Sequence, residues 1–177
     1  MYKRQGSSGS VVQIFHEQIR AGRPITLTDP EMTRFMMTLE ESVRLVIDSM
    51  FMACGGEVFV TKMPVVRISD LAEVMIEELA PRYGRDPKSI EIRVTGARPG
   101  EKLYEELTTD EEIKRTIEID DRFIVLPAWR GIYRSIDFSV HEKSGRPADK
   151  VYNSHKGSAW SKAEVARFLR DSGLLEQ

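Results

Sequence analysis

Apolar residues recur at two different periods along this chain, and the switching between them sets the expected architecture. Val11, Val12, Phe15 and Ile19 share one side of a helical wheel with Glu17 and Arg20 opposite, so the spacing predicts a first helix. Ser10 stands where an N-cap serves and Gly22 where the helix would stop. Residues 24–28 predict a short strand closed by the turn at Asp29-Pro30. Leu39, Val43, Val46, Ile47 and Met50 form one face of a second helix, ended by Gly55-Gly56. Residues 57–61 then predict a strand and residues 62–64 a loop, and Ser69-Asp70 opens a third helix with Leu71, Val74, Met75 and Leu79 on its apolar face. Ile90, Ile92 and Val94 alternate with Glu91, Arg93 and Thr95, the period of a half-buried strand, and residues 102–107 read as a short helix after it.

Helices and strands that alternate in this way imply an α/β fold. Past Leu107 the signals thin. An acidic-headed short helix follows Thr109, a late strand covers residues 122–126, and residues 127–159 read as an irregular tail held to the surface by Trp129, Tyr133, Phe138 and Tyr152. The last helix announces itself by a capping box, Ser161 with Glu164, and by Val165, Phe168 and Leu169.

Composition narrows the classes. With 177 residues, one domain with a sizeable core is expected. Lys and Arg total 26 against 28 Asp and Glu, so no field favours nucleic acid or an anionic membrane. Cys54 is the sole cysteine, which rules out an internal disulfide and points to a reducing compartment. His16, His141 and His155 lie far apart without ligand spacing, so no metal site is expected. No apolar run has the length to span a bilayer. The adjacent pairs Glu40-Glu41 and Glu111-Glu112 are expected to be solvated rather than catalytic. The sequence contains neither a Gly-x-Gly-x-x-Gly fingerprint nor a nucleophile elbow, and a Tyr-x-x-x-Lys dyad is not expected in it.

Three features suggest anion binding. Arg98 sits on a strand-to-helix turn that Pro99 and Gly100 would hold tight, and a guanidinium matches a phosphate with two parallel hydrogen bonds. Glu101 beside it can accept from sugar hydroxyls. The glycine-serine loop at residues 6–10 opens a helix and offers free backbone N–H groups. Arg34 interrupts an otherwise apolar stretch, so it needs an anionic partner, which a structural carboxylate or a bound phosphate could supply.

Four stretches in sequence order carry a resemblance: residues 6–12 (Gly-Ser-Ser-Gly-Ser-Val-Val), 28–35 (Thr-Asp-Pro-Glu-Met-Thr-Arg-Phe), 55–60 (Gly-Gly-Glu-Val-Phe-Val) and 96–103 (Gly-Ala-Arg-Pro-Gly-Glu-Lys-Leu). Tyr152-Asn153-Ser154-His155 and Trp160 fit as well. Together they resemble the carboxyl-terminal half of the polysaccharide-biosynthesis extended short-chain dehydrogenase/reductases. The nearest members are the UDP-N-acetylglucosamine 4,6-dehydratases (inverting) of flagellin and capsule sugar pathways, with related 4-epimerases beside them.

The resemblance implies a Rossmann-type α/β fold present only in its UDP-sugar-binding half. Residues 1–5 form a start foreign to the family, residues 6–126 the UDP-sugar half with leftover Rossmann strands, and residues 127–177 the tail and last helix. It implies that Arg34 and Arg98 bind UDP, that Glu101 contacts the substrate, and that Ser7, Ser8, Gly9, Ser10 and Val11 line the sugar nucleotide. Ser8 stands where many inverting dehydratases have arginine, which blurs dehydratase against epimerase. The implied reaction makes a 4-keto sugar, loses water from carbons 5 and 6 and inverts carbon 5. NADP or NAD carries the hydride in the missing amino-terminal half, together with the catalytic residues.

The expectations are therefore a truncated chain without turnover of its own, a cytoplasmic bacterial setting, a homo-oligomeric intact enzyme, and no nucleic-acid, metal or membrane-segment chemistry in this chain. The strand at residues 57–61 would belong to the missing sheet, so its edge and apolar surface should be exposed and the chain should self-associate. The rival is a stand-alone module that captures a sugar nucleotide without chemistry.

Overall fold

The computed structural model describes residues 11–97, 100–129 and 135–176. Its principal core is built around α3 (Ile68–Leu79), which lies between α1 (Val11–Ala21) and α5 (Lys162–Asp171). The helical period decides this arrangement. Val12, Phe15 and Ile19 of α1 meet Leu71, Met75 and Leu79 of α3, and Val165 and Leu169 of α5 close the other side. Outside the core, Glu78 accepts from Arg170 Nε at 3.1 Å, an ion pair that ties α3 to α5. Burial of these aliphatic side chains, each worth roughly 1.5–3 kcal/mol, is the main cohesive term.

One side of this core carries β1 (Ile25–Leu27), paired in parallel with β5 (Ile92–Val94) so that Ile25 faces Ile92. A parallel pair needs a crossover, and α3 lies in it. A second pair is antiparallel: β2 (Thr33–Phe35) with β4 (Val65–Arg67), Arg34 opposite Val66. The remaining strands form an antiparallel sheet in the order β3 (Val58–Thr61), β7 (Arg122–Val125), β6 (Thr116–Glu118), β8 (Arg146–Pro147). Its own smaller core holds Ile117, Ile124, Leu126 and Phe138. Arg122 is buried there but answered by Asp121 and by Asp48 Oδ2 at 3.0 Å, so its guanidinium is held more strongly protonated than usual. Asp48 belongs to α2 (Leu39–Met52), and the pair pins that helix to the sheet.

Several expectations need correction. Residues 102–107 are not a helix. Their backbone groups are engaged elsewhere: the Lys102 and Leu103 carbonyls accept from Arg34, the Glu105 amide donates to Ser154 Oγ, and the Leu107 amide donates to the Tyr152 carbonyl. A helix would have required those groups for its own ladder. Residues 127–159 are not wholly irregular, because α4 (Ser139–Ser144) and β8 fold within them. Trp129 does not hold the tail down, being 76% exposed, whereas Phe138 and Tyr152 do; Tyr133 lies outside the described residues. Strands β4 and β6 were not anticipated, each being three residues long.

Candidate functional site

The chemistry suggested by the sequence converges on one loop, residues 100–107, and on what holds it. Gly100 takes φ +82°, the left-handed bend expected of it. Arg34 reaches this loop from β2. Its Nη1 donates to the Leu103 carbonyl at 3.1 Å and to its own neighbour Thr33 at 2.7 Å, and Nη2 donates to the Lys102 carbonyl at 2.8 Å. Glu105 faces the same guanidinium, 3.8 Å from Nε. The anionic partner that a half-buried arginine requires is therefore supplied in part by a carboxylate of the chain, and the cation is fixed within one residue of Glu101. Glu101 is met from the other side by Thr28, whose hydroxyl donates to its Oε1 at 3.2 Å.

The tail completes the seat. Ser154 Oγ accepts from the Glu105 amide at 2.8 Å and lies 3.0 Å from Thr33 Oγ1, while the Ser154 amide donates back to the Glu105 carbonyl at 2.8 Å. Both Asn153 and Ser154 are buried. Tyr104 stacks on His155 with ring centroids 5.4 Å apart. Three distant segments are thus laced through backbone groups, a construction that fixes the loop's shape while leaving its exposed side chains to meet a ligand.

Of the residues expected to bind substrate, Arg34 and Glu101 are brought to this one loop. Val11 opens α1 and is half-buried against the principal core. Ser7, Ser8, Gly9, Ser10 and Arg98 lie outside the described residues. Sequence reasoning missed Thr28, Glu105 and Ser154. Ser154 belongs to the tail motif, yet it meets Thr33 across 121 positions, a separation no local pattern encodes.

Tyr152 and Lys156 stand at the Tyr-x-x-x-Lys spacing, which corrects the expectation that no such pair occurs. They do not form a proton-transfer dyad. The Tyr152 hydroxyl accepts from the Met63 amide at 2.6 Å and donates to the Met63 carbonyl at 2.8 Å, so both of its roles are taken. Burial pushes its phenol up, away from ionisation, and Phe35 and Phe123 flank the ring at 4.8 and 4.9 Å. The pair lies on a turn rather than along a helix face. The sequence has no Gly-x-Gly-x-x-Gly stretch, and the Tyr152 hydroxyl is not free to serve a nicotinamide cofactor.

Comparisons with known proteins bear on this site. Residues 5–127 match the family described as "Polysaccharide biosynthesis protein". A protein of Methanocaldococcus jannaschii named as an uncharacterized membrane protein is 44% identical over 96% of this chain and 47% of its own length. A UDP-N-acetylglucosamine 4,6-dehydratase (inverting) of Campylobacter jejuni is 32% identical over 88% of this chain and 45% of its own. The X-ray structure of Pen from Bacillus thuringiensis superposes with a TM-score of 0.83 at 39% identity, covering 97% of this chain and 48% of that one. The chain thus spans about half the length of the relatives it matches, as expected of half a longer fold. Among the described residues no helix is long and apolar enough to cross a membrane. Matched over most of its length and sharing the α/β fold of a solved relative, the chain belongs to the polysaccharide biosynthesis protein family of extended short-chain dehydrogenase/reductases.

Proposed function

We propose that this chain is the UDP-sugar-holding part of a nucleotide-sugar dehydratase acting on UDP-N-acetylglucosamine, removing water across carbons 5 and 6 with inversion at carbon 5, in surface-polysaccharide or flagellin-glycan synthesis. The observation that carries it is the seat of Arg34: a guanidinium held by two carbonyls, those of Lys102 and Leu103, on the loop that presents Glu101, and by the Thr33 carbonyl of its own strand. Such a cation meets a diphosphate without having to be ordered on binding, and Glu101, oriented by Thr28, faces sugar hydroxyls. Arg98, Ser7, Ser8, Gly9, Ser10 and Val11 complete the proposed set of substrate contacts. NADP or NAD supplies hydride transfer when bound in the intact enzyme; this chain contributes binding and orientation only. The activity for which the Campylobacter jejuni relative is named supports the reading.

A second reading is a 4-epimerase. A UDP-glucose 4-epimerase of Rickettsia canadensis is 34% identical over 97% of this chain, and Ser8 is compatible with it.

Saturation-transfer NMR of the full chain with UDP, UDP-N-acetylglucosamine and UDP-glucose tests the site. Transfer to the uridine protons is expected with all three, and stronger transfer to the N-acetyl group than to glucose protons. Arg34→Lys keeps the charge but loses the fork to the carbonyls and should weaken all three ligands, whereas Glu101→Gln should weaken only the two sugars. Absence of any uridine signal would reject the proposal. Incubation with NADP and UDP-N-acetylglucosamine should give no product, and measurable turnover would show that proton-transfer residues reside here after all.

A further inference from the structure

Away from the loop at residues 100–107, Cys54, Glu57 and His141 bring a thiol, a carboxylate and an imidazole to one point. Cys54 and Glu57 lie in the turn between α2 and β3, and His141 lies on α4. His141 Nε2 is 3.5 Å from Cys54 Sγ and 3.2 Å from Glu57 Oε1, and the three atoms all lie within 4.8 Å of one another. Cys54 and His141 are 87 positions apart, which is why histidine spacing gave no sign of the cluster.

Convergence on a single ring nitrogen is the informative detail. A nucleophile relay places thiol and carboxylate on opposite nitrogens of the imidazole, so that one orients the ring while the other exchanges a proton. Here both face Nε2, which carries one hydrogen or one lone pair and satisfies only one of them well. A cation at the common focus satisfies all three. In a tetrahedral zinc site, bonds of about 2.3 Å to sulfur and about 2.0 Å to nitrogen and oxygen put sulfur and nitrogen about 3.5 Å apart, and nitrogen and oxygen about 3.3 Å apart. The cluster has those two spacings, and its sulfur and oxygen, within 4.8 Å of each other, need to settle at about 3.5 Å around the ion.

The surroundings suit such an ion. Glu57 and His141 have buried side chains, while Cys54 is partly open to solvent and leaves an approach. The Glu57 carboxylate is oriented by backbone: its Oε2 accepts from the Gly55 amide at 2.6 Å and its Oε1 from the Cys54 amide. Burial works against its charge, but the amides of Cys54 and Gly55 and the His141 ring prevail and keep the carboxyl below its ordinary range. The thiol is pushed the other way, by burial and then by the negative charges of Glu57 and Asp137. A divalent cation inverts that balance, because the same anions that retain the proton attract the metal. Gly55 is needed for the turn: it takes φ +134°, and a Cβ there would sit 3.0 Å from Ile136 Cδ1. The edge-on ring of Phe59, 6.1 Å from that of His141, backs the imidazole.

We propose that Cys54, Glu57 and His141 bind a zinc-class divalent cation, with water in the fourth position, and that the ion fastens α4 to the turn before β3. The assignment is independent of the sugar-nucleotide reading.

Cys54 is the sole cysteine, so its reaction with a disulfide reagent such as DTNB reports on this site alone in the unmodified full chain. Zn²⁺ should bind at about one equivalent per chain, measured by competition with a chromogenic chelator, and should slow the thiol reaction by about tenfold or more until EDTA restores it. Co²⁺ in place of Zn²⁺ should give a thiolate charge-transfer band and tetrahedral ligand-field bands. Cys54→Ser and His141→Gln should each lower the affinity by more than the roughly 10–100-fold that loss of an outer-shell partner costs. His16→Ala, which alters an exposed contact with Tyr83, should bind as the unmodified chain does. Unchanged thiol reactivity under saturating Zn²⁺, no cobalt–thiolate band, or equal zinc retention by the Cys54 and His141 variants would each overturn the proposal and leave a hydrogen-bonded cluster only. Should those variants fail to fold, the thiol and cobalt measurements on the unmodified chain decide alone.

Discussion

α3 and α2 carry the same helical periodicity and end in opposite states. α3 buries seven residues, Ile68, Leu71, Ala72, Val74, Met75, Ile76 and Leu79, between two neighbouring helices. α2 buries none among the described residues, and Met50 and Phe51 at its end are 74% and 87% exposed. Leu39, Val43, Val46 and Ile47 are exposed as well. β3, against which α2 lies, pairs on one edge only among the described residues, with β7. An apolar stripe announces that a helix face favours burial; it does not say which surface covers it. The region around α3 completes itself, whereas the α2–β3 face is apolar surface of the kind that engages another protein surface.

The contrast can be broken most sharply by truncation. Leu71→Ala should cost about 2–5 kcal/mol in urea unfolding, because it empties a fully buried site, while Phe51→Ala should stay within about 0.5 kcal/mol. Comparable losses at both positions would mean that α2 is covered in solution. Next in size is association: the chain should self-associate in sedimentation velocity, and Val46→Glu with Phe51→Glu should shift it toward monomer. A monodisperse unmodified chain would remove that expectation.

Acid sharpens the comparison further, since each region has its own carboxylate clamp. Arg170 draws the Glu78 carboxyl below its ordinary range in the α3 region, and Lys62, followed by Arg146, does so for Glu118 in the sheet. A folded-state pKa below the unfolded one contributes stability that is present above the unfolded value, about 4.3 for glutamate, and disappears as pH falls through the folded value. Melting temperature should therefore hold down to about pH 5 and drop below it. Arg170→Gln and Lys62→Gln should each shallow the drop without moving its direction. The smallest effect concerns the caps. Thr38 with Glu41 at α2 and Ser161 with Glu164 at α5 form the same reciprocal box, with side-chain bonds to the N3 amides at 3.1 and 3.4 Å. Thr38→Ala and Ser161→Ala should cost about 0.5–2 kcal/mol each, and alike, because capping is local and ignores what the rest of the helix touches.

That similarity explains what the chain discloses in one dimension. α1, α3 and α5 were legible because their apolar stripes are contained within a dozen residues, α5 also by its capping box, and β5 because Ile90, Ile92 and Val94 alternate with charges. β4 and β6 were not, since three residues carry too little period to register. The segment 102–107 looked helical because its side chains permit a helix, but its backbone is claimed by Arg34, Ser154 and Tyr152, partners 49 or more positions distant for the first two. Arg34 could be singled out from its apolar neighbours, though not the carbonyls that hold it. Thr28, Glu105 and Ser154 are ordinary polar residues whose role exists only in three dimensions.

Tyr152 gives the tail a built-in reporter. Its phenol is enclosed between Phe35 and Phe123 and is spent on both backbone groups of Met63, so lifting the tail would strand an amide and a carbonyl as well as uncover the ring. Detachment of residues 151–156 should therefore coincide with the moment this phenol becomes titratable, and its ultraviolet absorbance in alkali would time that release.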